Sequence, residues 1–397
     1  MISSTDSNNP DLRVLHIIAS VNRADGGLIQ SVLQTLNSLP KNQKMETISL
    51  DAPDAPCVTE FPGIIHAMGP TPKKYGYTPK LAKWITENAH RFDVAVIHGL
   101  WNHASVGGWQ GCRLASLPYV LFTHGMMDPW FKKAYPLKHW LKQIFWLIQG
   151  RVLRDASEVL FTCEEEKCLA EGVFWGYQYH SRVVAFGAQD APAFDPEEIS
   201  GFKAAVPNVY ELPYLLFLSR IHEKKGCDLL LEGFAKAVQR PELQLIMAGP
   251  CHNDLIDQLK VLAHSLGISD RIHWPGMLKG AAKAGAFRGA EAFILTSHQE
   301  NFGIAVAEAL AYGKPVLISN QINIWREIEA GGAGIVAPDT VEGATQVIQT
   351  WESMMPEQRI AMGEAARSVY EKNFTVQVAT QDLTKVLERA IQKTKLN

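Results

Sequence analysis

Short, mainly apolar runs alternating with helical patterns constrain this chain more than any other feature. Residues 14–20 read VLHIIAS, 93–98 read DVAVIH and 119–123 read YVLFT. A strand buried on both faces has no polar side to show, and such strands belong to parallel sheets covered by helices. Residues 159–162 and 183–185 read as two more strands. NRADGG follows the first run and leads into a helical pattern at 28–39, so strand, glycine loop and helix make half of a βαβ unit. A polar, proline-rich stretch at 189–213 is the expected linker. The pattern then restarts, with strands expected at 214–218, 243–248, 292–295 and 315–318, a helix at 227–238 and a terminal helix at 382–393.

This α/β reading predicts two Rossmann-like β/α/β domains facing across a deep cleft, with ligands at the carboxyl ends of the strands. The expected division is a disordered leader at 1–10, an N-terminal Rossmann-like domain at 11–195, a C-terminal Rossmann-like domain at 196–375 and a closing helix at 376–397. The length of 397 residues suits two domains, and 47% hydrophobic with 20% charged residues excludes disorder, collagen and coiled coil. A net charge of −3 argues against a nucleic-acid binder. Six cysteines, of which only Cys163 and Cys168 lie close, form neither a disulfide framework nor a zinc site. Residues 1–10 lack the apolar core of a signal peptide, and no run reaches the ~18 apolar residues of a membrane span. A cytoplasmic protein is expected.

The strongest chemical signal is SHQENFGIAVAEALAYGKPV, residues 297–316. A buried strand runs into a polar loop and, through Gly303, into a helix. The first N–H groups of that helix, around Asn301, Phe302, Gly303 and Ile304, have no carbonyl partner in the helix and suit a phosphate or a sugar hydroxyl. From Gly303 to Glu308 the helix rises roughly 7.5 Å, about the distance from a pyrophosphate to the ribose of the same nucleotide. Glu300 and Glu308 would then accept from sugar and ribose hydroxyls. Equally, two acids at a helix start satisfy its dipole with no ligand at all. Arg220 and Lys225, in the loop SRIHEKKG, follow a strand; an arginine fork and a lysine point charge would stabilise the charge that grows on a leaving diphosphate. A solvated basic loop is the alternative, which Lys224 fits best.

Gly26 and Gly27 let backbone amides approach a ligand closely, although a lone glycine pair is more often a turn and is not the G-x-G-x-x-G fingerprint. His124 ends the strand YVLFT. His98 ends DVAVIH, with Trp101 and His103 just beyond; these three are acceptor-pocket candidates, against simple strand-end packing.

Taken together, E-x7-E with NFG between the acids and GKPV after them, SRIHEKKG, RIHWPG, IWREIEAGGAGIVAP, the double glycine and FTHG resemble the family 4 retaining glycosyltransferases of the GT-B fold, from about residue 12 to the end. The resemblance implies transfer of a hexose from an NDP-sugar, with UDP-glucose or a related UDP-hexose favoured, to a glycan or lipid-linked sugar in polysaccharide biosynthesis. It assigns Arg220 and Lys225 to the donor diphosphate, Gly26 and Gly27 to a loop beside it, and His124 and Glu300 to the donor sugar. It sets Met277 and Leu278 where backbone meets the base. Phe186 stands where many relatives have asparagine, and Pro250 where they have a second glycine.

No D-x-D occurs in the chain, so metal-independent transfer with no cofactor is expected, Arg220, Lys225 and the helix amides supplying the charge. A retaining double displacement needs a carboxylate nucleophile; Glu300 is the one cleft candidate, and because the resemblance assigns it to the sugar hydroxyls, same-face substitution is expected. Residues 131–154 carry six Lys or Arg and no acid, with Leu137, Trp140, Leu141, Ile144, Phe145 and Ile148 on one face. Such a helix lies on an anionic membrane surface or packs on its own sheet with a basic side in water. Two other functions fit the architecture: a UDP-sugar epimerase, and a non-catalytic nucleotide-sugar-binding protein.

Overall fold

The apolar runs are parallel strands. The structure, a computed structural model, describes residues 11–396 apart from 23–26, 41, 72–74, 208, 210 and 252–253. The expected leader and Gly26 lie outside the described residues. The strands are β1 (Leu12–Ile17), β2 (Gln43–Ser49), β3 (Ile64–Ala67), β4 (Val94–His98), β5 (Tyr119–Phe122), β6 (Glu158–Phe161), β7 (Ser181–Val183), β8 (Tyr214–Leu218), β9 (Gln244–Ala248), β10 (Ile272–Gly276), β11 (Ala292–Leu295), β12 (Val316–Ser319) and β13 (Gly334–Ala337). They form one seven-stranded sheet, ordered β3-β2-β1-β4-β5-β6-β7, and one six-stranded sheet, ordered β10-β9-β8-β11-β12-β13. In both, the strand order reverses in mid-sheet, at β1/β4 and at β8/β11. Loops on either side of such a point diverge and leave a crevice at the carboxyl ends.

The first unit takes in the chain up to Phe186 together with Val376–Asn397; the second is Gly187–Thr375. The division thus falls at 186/187, nine residues before the expected 195/196, and the closing helix belongs to the first unit. Its physical reason lies in the alternation along the strands. Leu15, Ile17, Ala95, Ile97 and Leu121 face one core, while Val14, Val94, Val96, Val120 and Phe122 face a second, built with Leu383, Val386, Leu387 and Ala390 of the Val376–Leu396 helix. Without that helix the second face of this sheet would be wet, at roughly 1.5–3 kcal/mol for each large side chain left exposed.

The expected linker is only partly a linker. Pro196–Ala205 is a helix, capped by the Asp195 carboxylate, which accepts from the Glu197 amide at 2.9 Å. It packs on the Gly280–Gly289 helix through glycine: a Cβ at Gly285 would stand 2.2 Å from the Glu198 carbonyl. Buried Glu198 is met by Arg288 at 2.5 Å. Proline, acid and glycine therefore read as a loop while building a close helix pair.

Two strands that the apolar-run rule passes over, β2 and β3, complete the first sheet. β2 carries Lys44 and Glu46 amid buried Met45, Thr47 and Ile48. Glu46 sits there because Arg91 and His66 both meet it at 2.6 Å.

Candidate active site

In the second unit, the loops after β8 and β11 are zipped together at the switch point. The His298 amide donates to the Lys224 carbonyl at 2.9 Å, and the Thr296 hydroxyl donates to the Gly226 carbonyl at 2.8 Å. Gly226 is left-handed, with φ 59°, and a Cβ there would stand 2.2 Å from the Thr296 carbonyl oxygen. Only glycine permits this approach. The consequence is direct contact between the Lys225 ammonium and the Glu300 carboxylate, two residues singled out separately from the sequence. Lys225 is buried. Burial, with Lys224 and Arg220 nearby, pulls its ammonium down to about 7. The carboxylate in contact opposes that and favours the charged pair.

Glu300 is pinned on its other side as well. Its amide donates to the Gln321 carbonyl at 2.9 Å, and its carbonyl accepts from the Asn323 amide at 3.1 Å. Gly303, at φ 73°, then turns the chain into the Ile304–Ala311 helix. The Val306 and Ala307 amides fold back onto the Gly303 carbonyl, so among the described residues the first-turn amides of Ile304 and Ala305 have no backbone partner. Asn301 is half-buried; Phe302 is buried, edge-on to Phe374 at 5.6 Å. Glu308 meets Lys283 at 2.8 Å, a partner from the Gly280–Gly289 helix that spacing along the chain did not reveal. Arg220 is exposed. Beyond β10, Met277 is exposed and Leu278 buried. Pro250 fits because its carbonyl, not an amide, is used: it accepts from the Ile221 amide at 2.9 Å. Phe186 is buried as the last residue of the first unit.

In the first unit three imidazoles form a chain from the core to the strand ends. His16 Nδ1 lies 2.9 Å from His98 Nε2, and His98 Nδ1 lies 3.0 Å from His124 Nε2. Each neutral pair needs one donor and one acceptor, so the chain carries its protons in one direction or the other. Either way the arrangement decides whether Nδ1 of His124 donates or accepts. Burial holds His16 near 3 and His124 near 4, and holds His98 well below its usual value with the same push from its two neighbours. His124 has φ 50°, a left-handed backbone rare for a residue with a side chain. The buried Glu166 holds this turn, accepting from the Thr123 hydroxyl and the Gly125 amide on one oxygen and from the Thr162 amide and hydroxyl on the other, at 2.6–2.7 Å. Neither His16 nor Glu166 stood out in the sequence; one lay inside an apolar run, the other in the acidic start of a helix.

The expected acceptor trio does not assemble. His98 is turned inward to the histidine chain, and His103 is buried with Nε2 2.8 Å from the Thr78 carbonyl. Trp101 packs against Phe174 at 5.0 Å, under the Lys142 ammonium at 4.6 Å. Both ring nitrogens of His98 meet other imidazoles and the Trp101 indole donates to the Met126 carbonyl at 3.2 Å, whereas His103 Nδ1 is buried with no hydrogen-bond partner among the described residues. Gly27 is the first residue of the Gly27–Asn37 helix.

Comparison with known proteins follows the same division. A family model described as "Glycosyl transferase 4-like domain" matches residues 46–187, and one described as "Glycosyl transferases group 1" matches residues 202–369. Mannosylfructose-phosphate synthase of Agrobacterium fabrum is 31% identical over 289 residues, 67% of this chain and 63% of that protein. An uncharacterised glycosyltransferase of Methanocaldococcus jannaschii is 26% identical over 181 residues, 44% of this chain and 45% of that protein. The chain thus matches less than two thirds of the length of either relative. Among solved structures, HepE of Anabaena in complex with UDP and glucose has a TM-score of 0.75 at 18% identity, covering 95% of this chain and all of that one. Sucrose-phosphate synthase from Thermosynechococcus elongatus has a TM-score of 0.75 at 17% identity, over 96% of this chain and all of its own. At such identities these structures speak for the GT-B fold alone. Matched in both its halves, the chain belongs to the glycosyl transferases group 1 family.

Proposed function

We propose that this protein is a retaining, metal-independent hexosyltransferase that moves a sugar from an NDP-sugar to a glycan or lipid-linked acceptor in polysaccharide biosynthesis. The observation that carries the reading is the Lys225–Glu300 contact at the β8/β11 switch point, beside the free amides of Ile304 and Ala305. A cation, an acid and two donors in one crevice suit a sugar diphosphate. The diphosphate would draw Lys225 and Arg220, freeing Glu300 for the sugar hydroxyls. Glu308, released from Lys283, would take the ribose. Met277 and Leu278 would meet the base, and Gly26 and Gly27 the phosphate. His124 would touch the donor sugar. The HepE structure that shares this fold holds UDP and glucose, which supports UDP-glucose or a related UDP-hexose as donor.

In the proposed step, the acceptor hydroxyl oxygen forms a bond to the anomeric carbon as the carbon–diphosphate bond breaks on the same face. The hydroxyl proton passes to the leaving phosphate oxygen. Lys225, Arg220 and the helix amides stabilise the charge left there. Glu300, assigned to the sugar hydroxyls, supports this over a double displacement, which needs a carboxylate placed to attack the anomeric carbon.

Product analysis with UDP-[14C]glucose tests the reading. Label transferred only when an acceptor is added is the expected result. Epimerised donor without acceptor would assign an epimerase, and binding without turnover a nucleotide-sugar-binding protein. The basic 131–154 segment and the absence, among the described residues, of a helix long and apolar enough to cross a membrane support a protein that works in the cytoplasm, peripheral at an anionic membrane face.

A further inference from the structure

The carboxyl ends of β1, β4 and β5 bring three imidazoles into one row. His16 stands opposite Val96 in the β1/β4 register, and His98 lies two residues further along β4, on the same face of the sheet. His124 follows the end of β5, in the turn that Glu166 holds. Stacking keeps the rings in line. His16 lies on His98 at 5.1 Å and 20°, and His98 on His124 at 5.3 Å and 23°. Phe122 stacks on both His98 and His124, at 5.7 and 5.3 Å.

The two hydrogen bonds tie the three protons together. Nδ1 of His16 meets Nε2 of His98, and Nδ1 of His98 meets Nε2 of His124. A neutral imidazole carries one proton, so a ring that donates through one nitrogen accepts through the other. Burial keeps all three rings neutral. The Glu166 carboxylate accepts from Thr123, Gly125 and Thr162 rather than from a ring. Two states remain. With the protons on Nε2, the row ends inward in an N–H of His16; with the protons on Nδ1, it ends inward in a lone pair. His16 is 1% exposed, and among the described residues its ring has one hydrogen-bond partner, His98. Buried N–H groups without an acceptor are rare, under-used acceptors less so. The Nδ1 state is therefore favoured, and it leaves an N–H on Nδ1 of His124, the half-buried member of a row whose other two rings are buried.

We propose that His16 and His98 are positioning residues that act through His124: they lock its proton on Nδ1, so that the turn after β5 presents a preset N–H donor to an oxygen of the donor's sugar. The role rests on the assignment of His124 to the donor sugar in the proposed function; the locked tautomer does not. A donor oriented before binding needs no reorganisation when its ligand arrives, and each hydrogen bond in a row polarises the next. Imidazole in water prefers the Nε2 proton, so an Nδ1 proton on all three rings is the signature of the row.

Nitrogen NMR of the full-length protein with 15N-labelled histidine reads the tautomers, and His124→Gln assigns the His124 lines. In wild type, His124 is expected to carry its proton on Nδ1. His16→Phe removes the donor to His98 and should let the Nε2 form of His124 appear. His16→Gln, whose amide NH2 can donate in the ring's place, should restore Nδ1. Calorimetry follows the consequence. UDP-glucose affinity should fall about 3- to 10-fold in His16→Phe and recover in His16→Gln, while UDP, which has no glucose for His124 to meet, binds both variants as it binds wild type. A proton on Nε2 of His124 in wild type would overturn the proposal without any variant. So would a His16→Phe protein in which His124 keeps its wild-type tautomer. Equal losses of UDP and UDP-glucose affinity would make His16 a packing residue only. The expected tautomers in a wild type that binds UDP-glucose no differently from UDP would uphold the locked proton and overturn the placing of His124 at the donor sugar.

Discussion

The Glu166 carboxylate accepts the Gly125 amide at 2.6 Å, tying the helix after β6 to the left-handed turn that carries His124. Three further donors, the Thr123 hydroxyl and the amide and hydroxyl of Thr162, share the same carboxylate. Glu166→Ala would take this acceptor from all of them in a buried site, two of them backbone amides, while the Thr123 hydroxyl keeps the Leu160 carbonyl at 3.4 Å. The expected cost is about 2–5 kcal/mol of unfolding free energy. Urea unfolding measures it. Glu166→Gln keeps the volume but turns an NH2 group toward one set of donors, so it should recover only part of the loss. In both variants kcat should fall with His124 still present, because its strained turn is no longer held.

The histidine chain predicts a sensitivity to mild acid. His16, His98 and His124 are neutral in the fold, with values near 3 for His16, near 4 for His124 and well below normal for His98. Unfolded, each titrates near 6.5. Stability from this source is therefore complete above about pH 6.5, and is lost as pH falls from there toward 4, where the unfolded chain takes protons the fold refuses. Each histidine contributes up to about 1.4 kcal/mol per pH unit in that window. Unfolding free energies at pH 7.5 and 5.5 should differ by several kcal/mol in wild type. His16→Phe should reduce the difference by about one proton's worth. A difference unchanged in His16→Phe would remove the buried histidines from the explanation.

Much of this was legible in the sequence, and the reasons for what was not are local. β1, β4, β5, β8 and β11 announce themselves because, His16 and His98 apart, their buried side chains are apolar on both faces. β2 hides because Glu46 and Lys44 find polar partners at one side of the sheet: Glu46 takes Arg91 and His66, and Lys44 takes Asp11. The E-x7-E spacing shows both acids, since a helix fixes distances along one stretch of chain. It cannot show Lys225, 75 residues before Glu300, or Lys283, 25 residues before Glu308, as their partners. Those pairs exist because parallel strands bring remote loops to one edge. The partner of His103 was hidden for a related reason: its Nε2 meets the Thr78 carbonyl, 25 residues earlier in the chain.

The Lys225–Glu300 pair separates binding from chemistry. Lys225→Ala would remove the proposed charge-assisted contact to the diphosphate, and UDP affinity should drop by about 10- to 100-fold. Glu300→Ala should lose transfer by far more than it loses UDP binding, since its carboxylate is assigned to the sugar. It also strips Lys225 of the acid that keeps its proton on, while burial and Arg220 still pull it down. UDP binding by Glu300→Ala should therefore weaken between pH 6 and 8 more steeply than in wild type, as the lysine loses its charge. Calorimetry at the two pH values checks the slope. Near wild-type turnover in Glu300→Ala would remove it from the donor-sugar site.

Transfer should survive EDTA with its rate unchanged, because the proposed charge on the leaving group is met by Arg220, Lys225 and the helix amides. Activity that vanishes with chelator and returns with Mn2+ would place that charge on a metal instead.

Two glycines of similar backbone isolate the zipped loops from general strain. Gly226 and Gly280 are both left-handed, with φ 59° and 51°. A methyl group at Gly280 meets nothing within 4 Å, whereas one at Gly226 stands 2.2 Å from the Thr296 carbonyl oxygen. Gly280→Ala should therefore cost only the left-handed penalty, about 1–2 kcal/mol. Gly226→Ala carries that penalty and must also push the β8 loop off the β11 loop, moving Lys225 from Glu300. Its signature is a fall in UDP affinity beyond that of Gly280→Ala, measured at a temperature where both remain folded. Equal affinities in the two variants would mean that the close approach at Thr296 does not set the geometry of the donor site.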